Sequence, residues 1–66
     1  MSRLEELRRK NKLSQLELGK IIGVNQNTIS QWESGAHLPP TVKLLALSKL
    51  FKVSTDYLLG NETDTA

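Results

Sequence analysis

Residues 14–33 read SQLELGKIIGVNQNTISQWE, and this stretch predicts two short helices joined by a tight turn. Ser14 and Asn25 are good N-cap residues, because their side-chain oxygens can accept a hydrogen bond from a free N–H of the first helical turn. Gly23 lies between them and can end the first helix in the left-handed conformation that glycine adopts without steric cost. The second helix is therefore expected to begin only two residues after the first one ends.

Each of these two predicted helices has one apolar side. In the first, Leu18, Ile21 and Ile22 recur at positions i, i+3 and i+4. In the second, Ile29 and Trp32 share one side, and the opposite side carries uncharged polar residues, namely Gln26, Asn27, Ser30 and Gln31. An amide offers a donor beside an acceptor, which matches the N6/N7 edge of adenine in the DNA major groove. The alternative interpretation is an ordinary polar surface that carries amides by chance.

Length and composition predict one small domain with a single core. The chain has 66 residues and no cysteine, which excludes a disulfide framework and a thiolate metal site. Its charged first residues lack the apolar segment of a signal peptide, and no apolar run approaches transmembrane length. We expect a cytoplasmic protein that needs no metal and no cofactor and is not associated with a membrane.

Positive charge is concentrated in the body of the chain. Residues 1–55 hold all nine Lys and Arg but only four Glu, which gives this segment a net charge of +5. A body of that charge is attracted to polyanions such as DNA. The alternative is a lysine-rich surface that only keeps the protein soluble.

Three further helices are predicted outside the central stretch. The first runs from residue 2 to 11, is capped by Ser2, and ends in a basic cluster that either complements the helix dipole or lies along a phosphate backbone. Another opens at Pro40 or Thr41, and its dense apolar run predicts that it is the central member of the core. The last is capped by Ser54 and is closed by Gly60, and residues 61–66 are expected to form a frayed polar tail.

Several short motifs resemble a helix-turn-helix domain of the Cro/repressor type, also called the XRE type, found in phage and bacterial transcriptional repressors. They are LSQ at residues 13–15, IGV at 22–24, TIS, W, E and G within 28–35, a proline before the fourth helix, and VS, D and LLG within 53–60. The resemblance implies an all-α, lambda-repressor-like fold of five short helices over residues 1–60, with the helix-turn-helix at helices 2 and 3. It implies a transcriptional regulator, most simply a repressor, that binds double-stranded operator DNA.

The resemblance also implies roles for individual residues. The base-reading positions are Gln15, Gln26, Asn27 and Gln31, of which the first also lies against a phosphate. The positions that contact the DNA backbone or flanking bases are Ser14, Asn25, Thr28, Ser30 and Ser34, and Lys10 is expected to neutralise a phosphate. Arg8 and Glu33 match a salt bridge that ties helix 1 to the end of helix 3, whereas the alternative for this arginine is a free surface cation. No arginine or lysine stands on the reading face, so we expect at least one directly read adenine in each half-site.

A weak homodimer is implied by the same resemblance, with its contact around the last helix at Val53, Thr55, Tyr57 and Leu58. The alternative function is a protein-interaction module of the same fold with little DNA affinity, for which the apolar residues Leu16 and Ile21 on helix 2 could provide a partner surface. An enzyme is not indicated, because the chain has one histidine and no catalytic or metal-ligand spacing.

Gly19 departs from the alanine that the resembled family usually has at this position. A glycine inside a helix costs roughly 0.5–1 kcal/mol relative to alanine. From the sequence, we therefore expect Gly19→Ala to raise stability without changing DNA affinity.

Overall fold

The computed structural model describes residues 1–61, and these form five α-helices. They are α1 (Ser2–Lys10), α2 (Gln15–Ile22), α3 (Gln26–Ser34), α4 (Thr41–Phe51) and α5 (Thr55–Leu59). The predicted all-helical architecture is confirmed, and within residues 1–61 no strand occurs. Of the expected polar tail only Asn61 is included, and the rest lies outside the described residues. None of the five helices is long and apolar enough to cross a membrane.

The N-cap predicted at Ser14 is confirmed and forms a full capping box. The Glu17 backbone nitrogen donates to Ser14 Oγ at 3.0 Å, and the Ser14 backbone nitrogen donates to Glu17 Oε1 at 2.8 Å. The hydrogen bond from the Ser14 backbone nitrogen lowers the pKa of the Glu17 carboxyl group below its ordinary value, and the Ser14 hydroxyl acts in the same direction. Two orphan N–H groups at the start of α2 are thereby satisfied, which fixes where this helix begins.

The turn between α2 and α3 also forms as the sequence predicts. Gly23 ends α2 with a φ of 90°, in the left-handed region. The backbone nitrogens of Gly23 and Val24 both donate to the Gly19 carbonyl oxygen, at 2.7 and 2.9 Å. Asn25 then caps α3, because its Oδ1 accepts from the Thr28 backbone nitrogen at 2.8 Å. The result is a compact reversal in which the start of α3 lies directly against the side of α2.

This close approach overturns the expectation that alanine would fit at residue 19. A Cβ atom on Gly19 would lie 2.6 Å from the Val24 carbonyl oxygen and 3.3 Å from the Asn25 carbonyl carbon. Both are backbone atoms of the turn, so they cannot move aside as the end of a flexible side chain can. The glycine is present because the turn backbone occupies the space that a methyl group would need.

Helix α1 differs from its prediction at both ends. It includes Ser2, its N-cap residue is Met1, and no side chain donates or accepts a capping hydrogen bond there. The predicted Ser2 cap is therefore wrong, and the helix ends at Lys10 rather than at Asn11. The start of α1 is held instead by tertiary contacts, since the Met1 amino nitrogen donates to the Trp32 carbonyl oxygen at 2.7 Å.

The hydrophobic core draws at least one residue from every helix. Its buried members are Leu4, Leu18, Ile22, Ile29, Trp32, Leu47 and Leu58. Four of these seven come from α2 and α3, so the helix-turn-helix itself forms the centre of the core. The core therefore holds the two helices of the motif in a fixed relation to each other.

The prediction that α4 is the central core helix is wrong. Leu47 is its only buried residue, whereas Val42 is 74% exposed and Leu45 is 47% exposed. Helix α4 packs on the core with one side, and the opposite side faces solvent although it is apolar. The apolar composition of α4 indicated that the whole helix is buried, but burial depends on which neighbouring helices cover each side of it.

We predict that Gly19→Ala lowers the free energy of unfolding by about 1–2 kcal/mol. Overpacking against the turn costs roughly 1–3 kcal/mol, and the helix propensity of alanine returns at most about 1 kcal/mol. Urea unfolding measures the difference, and Lys20→Ala at the next, exposed position of α2 is the matched control, expected within about 0.5 kcal/mol of the wild type. A gain in stability for Gly19→Ala would show that the turn relaxes at no cost.

Candidate nucleic-acid interface

The outer face of α3 is polar and carries no charge. The helix buries Ile29, Trp32 and Glu33, which leaves the opposite side to solvent. Gln26 and Asn27 are exposed on that side, and two further residues are half-buried there, Ser30 and Gln31. The face predicted from the sequence therefore exists, and its two most exposed side chains stand in the first turn of α3.

Gln15 lies beside the beginning of α3. One open depression on the surface is lined by Gln15 from α2 together with residues from the start of α3 and its cap, namely Asn25, Gln26, Asn27 and Ser30. The structure thus brings together three of the four side chains predicted to read bases. The fourth, Gln31, lies further along α3 and does not line this depression.

A buried ion pair connects α1 to the C-terminal end of α3. Arg8 Nε donates to Glu33 Oε2 at 2.6 Å, and Arg8 Nη2 donates to Glu33 Oε1 at 3.2 Å. The two residues are only 7% and 8% exposed, which excludes a free surface cation. The hydrogen bond to Glu33 raises the pKa of Arg8 above its ordinary value, although burial opposes this shift. The guanidinium therefore stays charged inside the protein.

Two more groups join this ion pair and extend it into α2. Arg8 Nη1 donates to the Leu13 carbonyl oxygen at 2.9 Å, which fixes the connection between α1 and α2. Gln15 Nε2 donates to Glu33 Oε1 at 2.9 Å. We call these four residues, Arg8, Leu13, Gln15 and Glu33, the Arg8–Glu33 network. Through it α1, the start of α2 and the end of α3 are fixed relative to one another.

The side chains expected at the DNA backbone already make internal hydrogen bonds. Ser14 Oγ is the acceptor of the α2 cap, and Asn25 Oδ1 accepts from both the backbone nitrogen and the hydroxyl of Thr28. Ser34 Oγ donates to the Gln31 carbonyl oxygen at 3.2 Å. The Asn25 side-chain NH2 group is still available as a donor, whereas the Ser14 hydroxyl interacts with the Glu17 carboxylate and the Ser34 hydroxyl hydrogen is used within the helix end.

Lys43 was not singled out from the sequence, yet it contacts the turn of the helix-turn-helix. Its Nζ donates to the Ile22 carbonyl oxygen at 3.1 Å, at the C-terminal end of α2. A cation at this end complements the helix dipole and satisfies one of the last carbonyl groups. No local pattern could identify this contact, because Lys43 belongs to α4 and its partner lies 21 residues earlier.

The surface expected for a dimer is corrected by the structure. Leu58 is 1% exposed and belongs to the core, so the prediction that its side chain contacts a second copy is wrong. Val53 packs partly against the same core, and the Arg3 guanidinium lies 4.3 Å from the centre of the Tyr57 ring. Thr55 is half-buried. Helix α5 packs against its own domain through the buried Leu58.

Apolar residues are nevertheless exposed elsewhere. Leu16 and Ile21 on α2 are 48% and 54% exposed, as the sequence indicated. Leu38 in the connection before α4 is 67% exposed, and Val42 and Leu45 of α4 are exposed although their apolar run predicted burial. Among residues 1–61, no group of three or more His, Cys, Asp or Glu could hold a metal ion.

Comparison with known proteins identifies the family of the chain. A family model described as helix-turn-helix matches residues 4–58. The chain belongs to this family. A crystal structure of the P22 c2 repressor in complex with a synthetic operator superposes with a TM-score of 0.85 at 44% sequence identity, and the match covers 92% of both chains. The lambda-repressor-like helix-turn-helix fold expected from the sequence is thereby confirmed.

The relatives of this helix-turn-helix chain are transcriptional regulators. Repressor protein C2 of Salmonella phage P22 is 47% identical over 91% of this chain, and the regulator ImmR of Bacillus subtilis is 42% identical over 94%. The transcriptional activator BcrR of Enterococcus faecalis is 38% identical over 91%. The matched segments span only 28%, 54% and 29% of these relatives. These names agree with the expectation of a regulator rather than an enzyme.

We predict that the Arg8–Glu33 ion pair is strongly coupled. Arg8→Ala should lower the free energy of unfolding by roughly 3–5 kcal/mol, because it leaves the Glu33 carboxylate buried without its partner. Removing both side chains should cost much less than the sum of the two single exchanges. A double-mutant cycle with Glu33→Ala, followed by urea unfolding, measures the coupling. The exposed pair Arg9 and Glu5 serves as the control cycle and should couple by about 0.5 kcal/mol or less. Equal couplings in the two cycles would contradict the prediction.

Proposed function

We propose that this chain is the DNA-binding part of a transcriptional regulator and that α3 enters the major groove of double-stranded DNA. The observation that carries this proposal is the uncharged, amide-bearing outer face of α3, with Gln15 held beside its first turn. A free helix face normally carries charges, whereas amides suit the reading of base edges. The P22 c2 repressor, which has the same fold, is solved in complex with operator DNA, and this supports the proposal.

The side chains divide into base readers and backbone contacts. Gln26 and Asn27 are exposed, and among the described residues their side chains make no hydrogen bond, so both amides are available to base edges. Gln31 extends the reading face along the groove. We assign the free Asn25 NH2 group and Ser14 to phosphate contacts, to which Lys10 adds a positive charge. Thr28 and Ser30 lie next to the base-reading side chains of α3.

A repressor that acts as a weak homodimer is the form of this function we favour. One α3 helix reads only a few base pairs, and two copies with their helices about 34 Å apart would read a palindrome. Without Leu58, the surface left for a dimer is small and consists of Val53, Thr55 and Tyr57. We therefore expect the dimer to form mainly when both copies are bound to DNA. A regulator of this kind acts on DNA in the bacterial cytoplasm.

A protein-interaction module is the second candidate, and the exposure of Leu16 and Ile21 favours it. Large apolar side chains at about half exposure on a helix suit a partner surface. Leu16→Ser and Ile21→Ser should leave operator binding intact if DNA is the target. Loss of partner binding by these variants, in a chain without salt-dependent DNA affinity, would favour the module.

We predict that Gln26→Ala and Lys10→Ala weaken DNA binding in different ways. The glutamine exchange should cost roughly 1–3 kcal/mol on the cognate site and relax preference at one base pair, near the outer end of the half-site and normally adenine. The lysine exchange should weaken all sequences alike and reduce the salt slope by about 0.9. Sites selected from a random DNA pool, followed by titrations at several salt concentrations, measure both effects. A uniform loss for Gln26→Ala would show that it does not read a base.

We also predict that a palindromic operator binds two copies cooperatively. Tyr57→Ala should reduce this cooperativity and leave the affinity for an isolated half-site unchanged, because Tyr57 is not among the residues that line the depression at the start of α3. Titration of half-sites and full sites by gel shift measures the two quantities. Independent filling of the two half-sites by the wild-type chain would contradict dimeric binding.

A further inference from the structure

The two ends of the Gln15 side-chain amide are in different chemical environments. Its Nε2 group donates one hydrogen to Glu33 Oε1 at 2.9 Å. Within residues 1–61 its Oε1 accepts no hydrogen bond from the protein, and Gln15 lines the depression at the start of α3. The amide therefore presents one acceptor and one remaining donor to the surface on which the proposed DNA would lie.

This orientation is imposed by the carboxylate of Glu33. An ionised carboxylate has only acceptor oxygens, so the Gln15 amide must turn its NH2 group toward it. The reverse orientation would place Oε1 of the amide against a negatively charged oxygen inside a largely buried network. Arg8 donates to both Glu33 oxygens, at 2.6 and 3.2 Å, and thereby fixes the orientation of this carboxylate.

We propose that Glu33 is a positioning residue for DNA specificity, because it fixes the polarity of the Gln15 amide and so makes Gln15 select adenine over guanine. This inference rests on the proposed DNA-binding function. The major-groove edge of adenine places a donor, N6, beside an acceptor, N7, whereas guanine presents two acceptors, N7 and O6. An amide with one outward acceptor and one outward donor complements adenine and meets guanine with an acceptor against an acceptor.

Glu33→Gln should reverse this polarity rather than merely loosen the site. The shortest contact of the ion pair joins Arg8 Nε to Oε2, and the carbonyl oxygen of the new amide would keep that position. Its NH2 group would then take the place of Oε1, give up the 3.2 Å hydrogen bond from Arg8 Nη2, and face Gln15. To accept this hydrogen bond the Gln15 amide must turn over, and it would present both of its N–H groups outward, as guanine requires.

The test compares base preferences among variants of the complete chain. Selection from a random double-stranded pool gives the motif, and Gln15→Ala identifies the base pair that Gln15 reads by the loss of preference there. Affinities are then measured on two sites that differ only by adenine or guanine at that position. For the wild type we expect adenine to be favoured by roughly 5- to 150-fold. For Glu33→Gln we expect this ratio to fall at least fivefold, with the affinity for the guanine site rising relative to that for the adenine site.

Arg8→Lys is the matched control within the same network. It weakens the ion pair but leaves the Glu33 carboxylate, so the affinities for both sites should fall while the adenine-to-guanine ratio stays at its wild-type value. A purely structural role for Glu33 would give the same pattern in both variants. An unchanged ratio in folded Glu33→Gln, or an unchanged motif in Gln15→Ala, would overturn this inference and leave the proposed function standing. Failure of the wild-type chain to enrich any motif would overturn both.

A measurement on the free wild-type chain tests the fixed polarity without any substitution. In the nuclear magnetic resonance spectrum, the two Gln15 Nε2 protons should be well separated, with the proton that faces Glu33 shifted downfield and exchanging more slowly with water. Chemical shifts and exchange rates of the Gln15 Nε2 protons equal to those of the exposed Gln26 side chain would overturn the inference. Because this measurement uses the wild-type chain, it remains valid if Glu33→Gln does not fold.

Discussion

The hydrogen-bonded ion pair between Arg8 and Glu33 joins the helix that begins the chain to the end of the helix that faces the proposed DNA. Its 2.6 Å contact is surrounded by protein, and each remaining polar group of the pair has a defined partner. Among residues 1–61 no buried side-chain nitrogen or oxygen lacks a hydrogen bond. Placing two charges in an interior is costly unless they are paired and satisfied in this way. The orientation of α3 and the position of Gln15 both depend on this pair.

Steric closeness at the turn is the second constraint on the reading face. The backbone of Val24 and Asn25 occupies the space beside Gly19, and this brings the start of α3 against α2. Gln15 can lie next to the first turn of α3 only because the two helices approach so closely. A residue that is unfavourable for helix propensity is thus favourable for the geometry of the site.

Apolar surface is distributed unequally between the helices, and this limits where partners can bind. Helix α5 inserts Leu58 into the core, so a second copy can contact it only through smaller or half-buried side chains. Helices α2 and α4 instead expose Leu16, Ile21, Val42 and Leu45. The amide-bearing surface therefore belongs to the proposed DNA side, whereas these apolar side chains are not among the residues assigned to DNA.

The sequence by itself determined the local features of this protein. The caps at Ser14, Asn25 and Ser54 and the glycine ends at residues 23 and 60 all occur where they were predicted. Each depends on contacts within a few residues, so a short segment contains enough information to specify it. The pairing of Arg8 with Glu33 also followed from the sequence, but only through resemblance to a family, since 25 residues separate them.

Tertiary structure alone decided the features that depend on distant neighbours. Leu58 is buried and one side of α4 is exposed because of the helices that surround them. The turn backbone leaves no space for a methyl group at Gly19, and Lys43 donates a hydrogen bond to the end of α2. Tertiary structure also turned the amide of Gln15 by placing a carboxylate beside it. Periodicity shows that a helix has two sides, but the elements that pack around it determine which side is covered and which polar atoms are used.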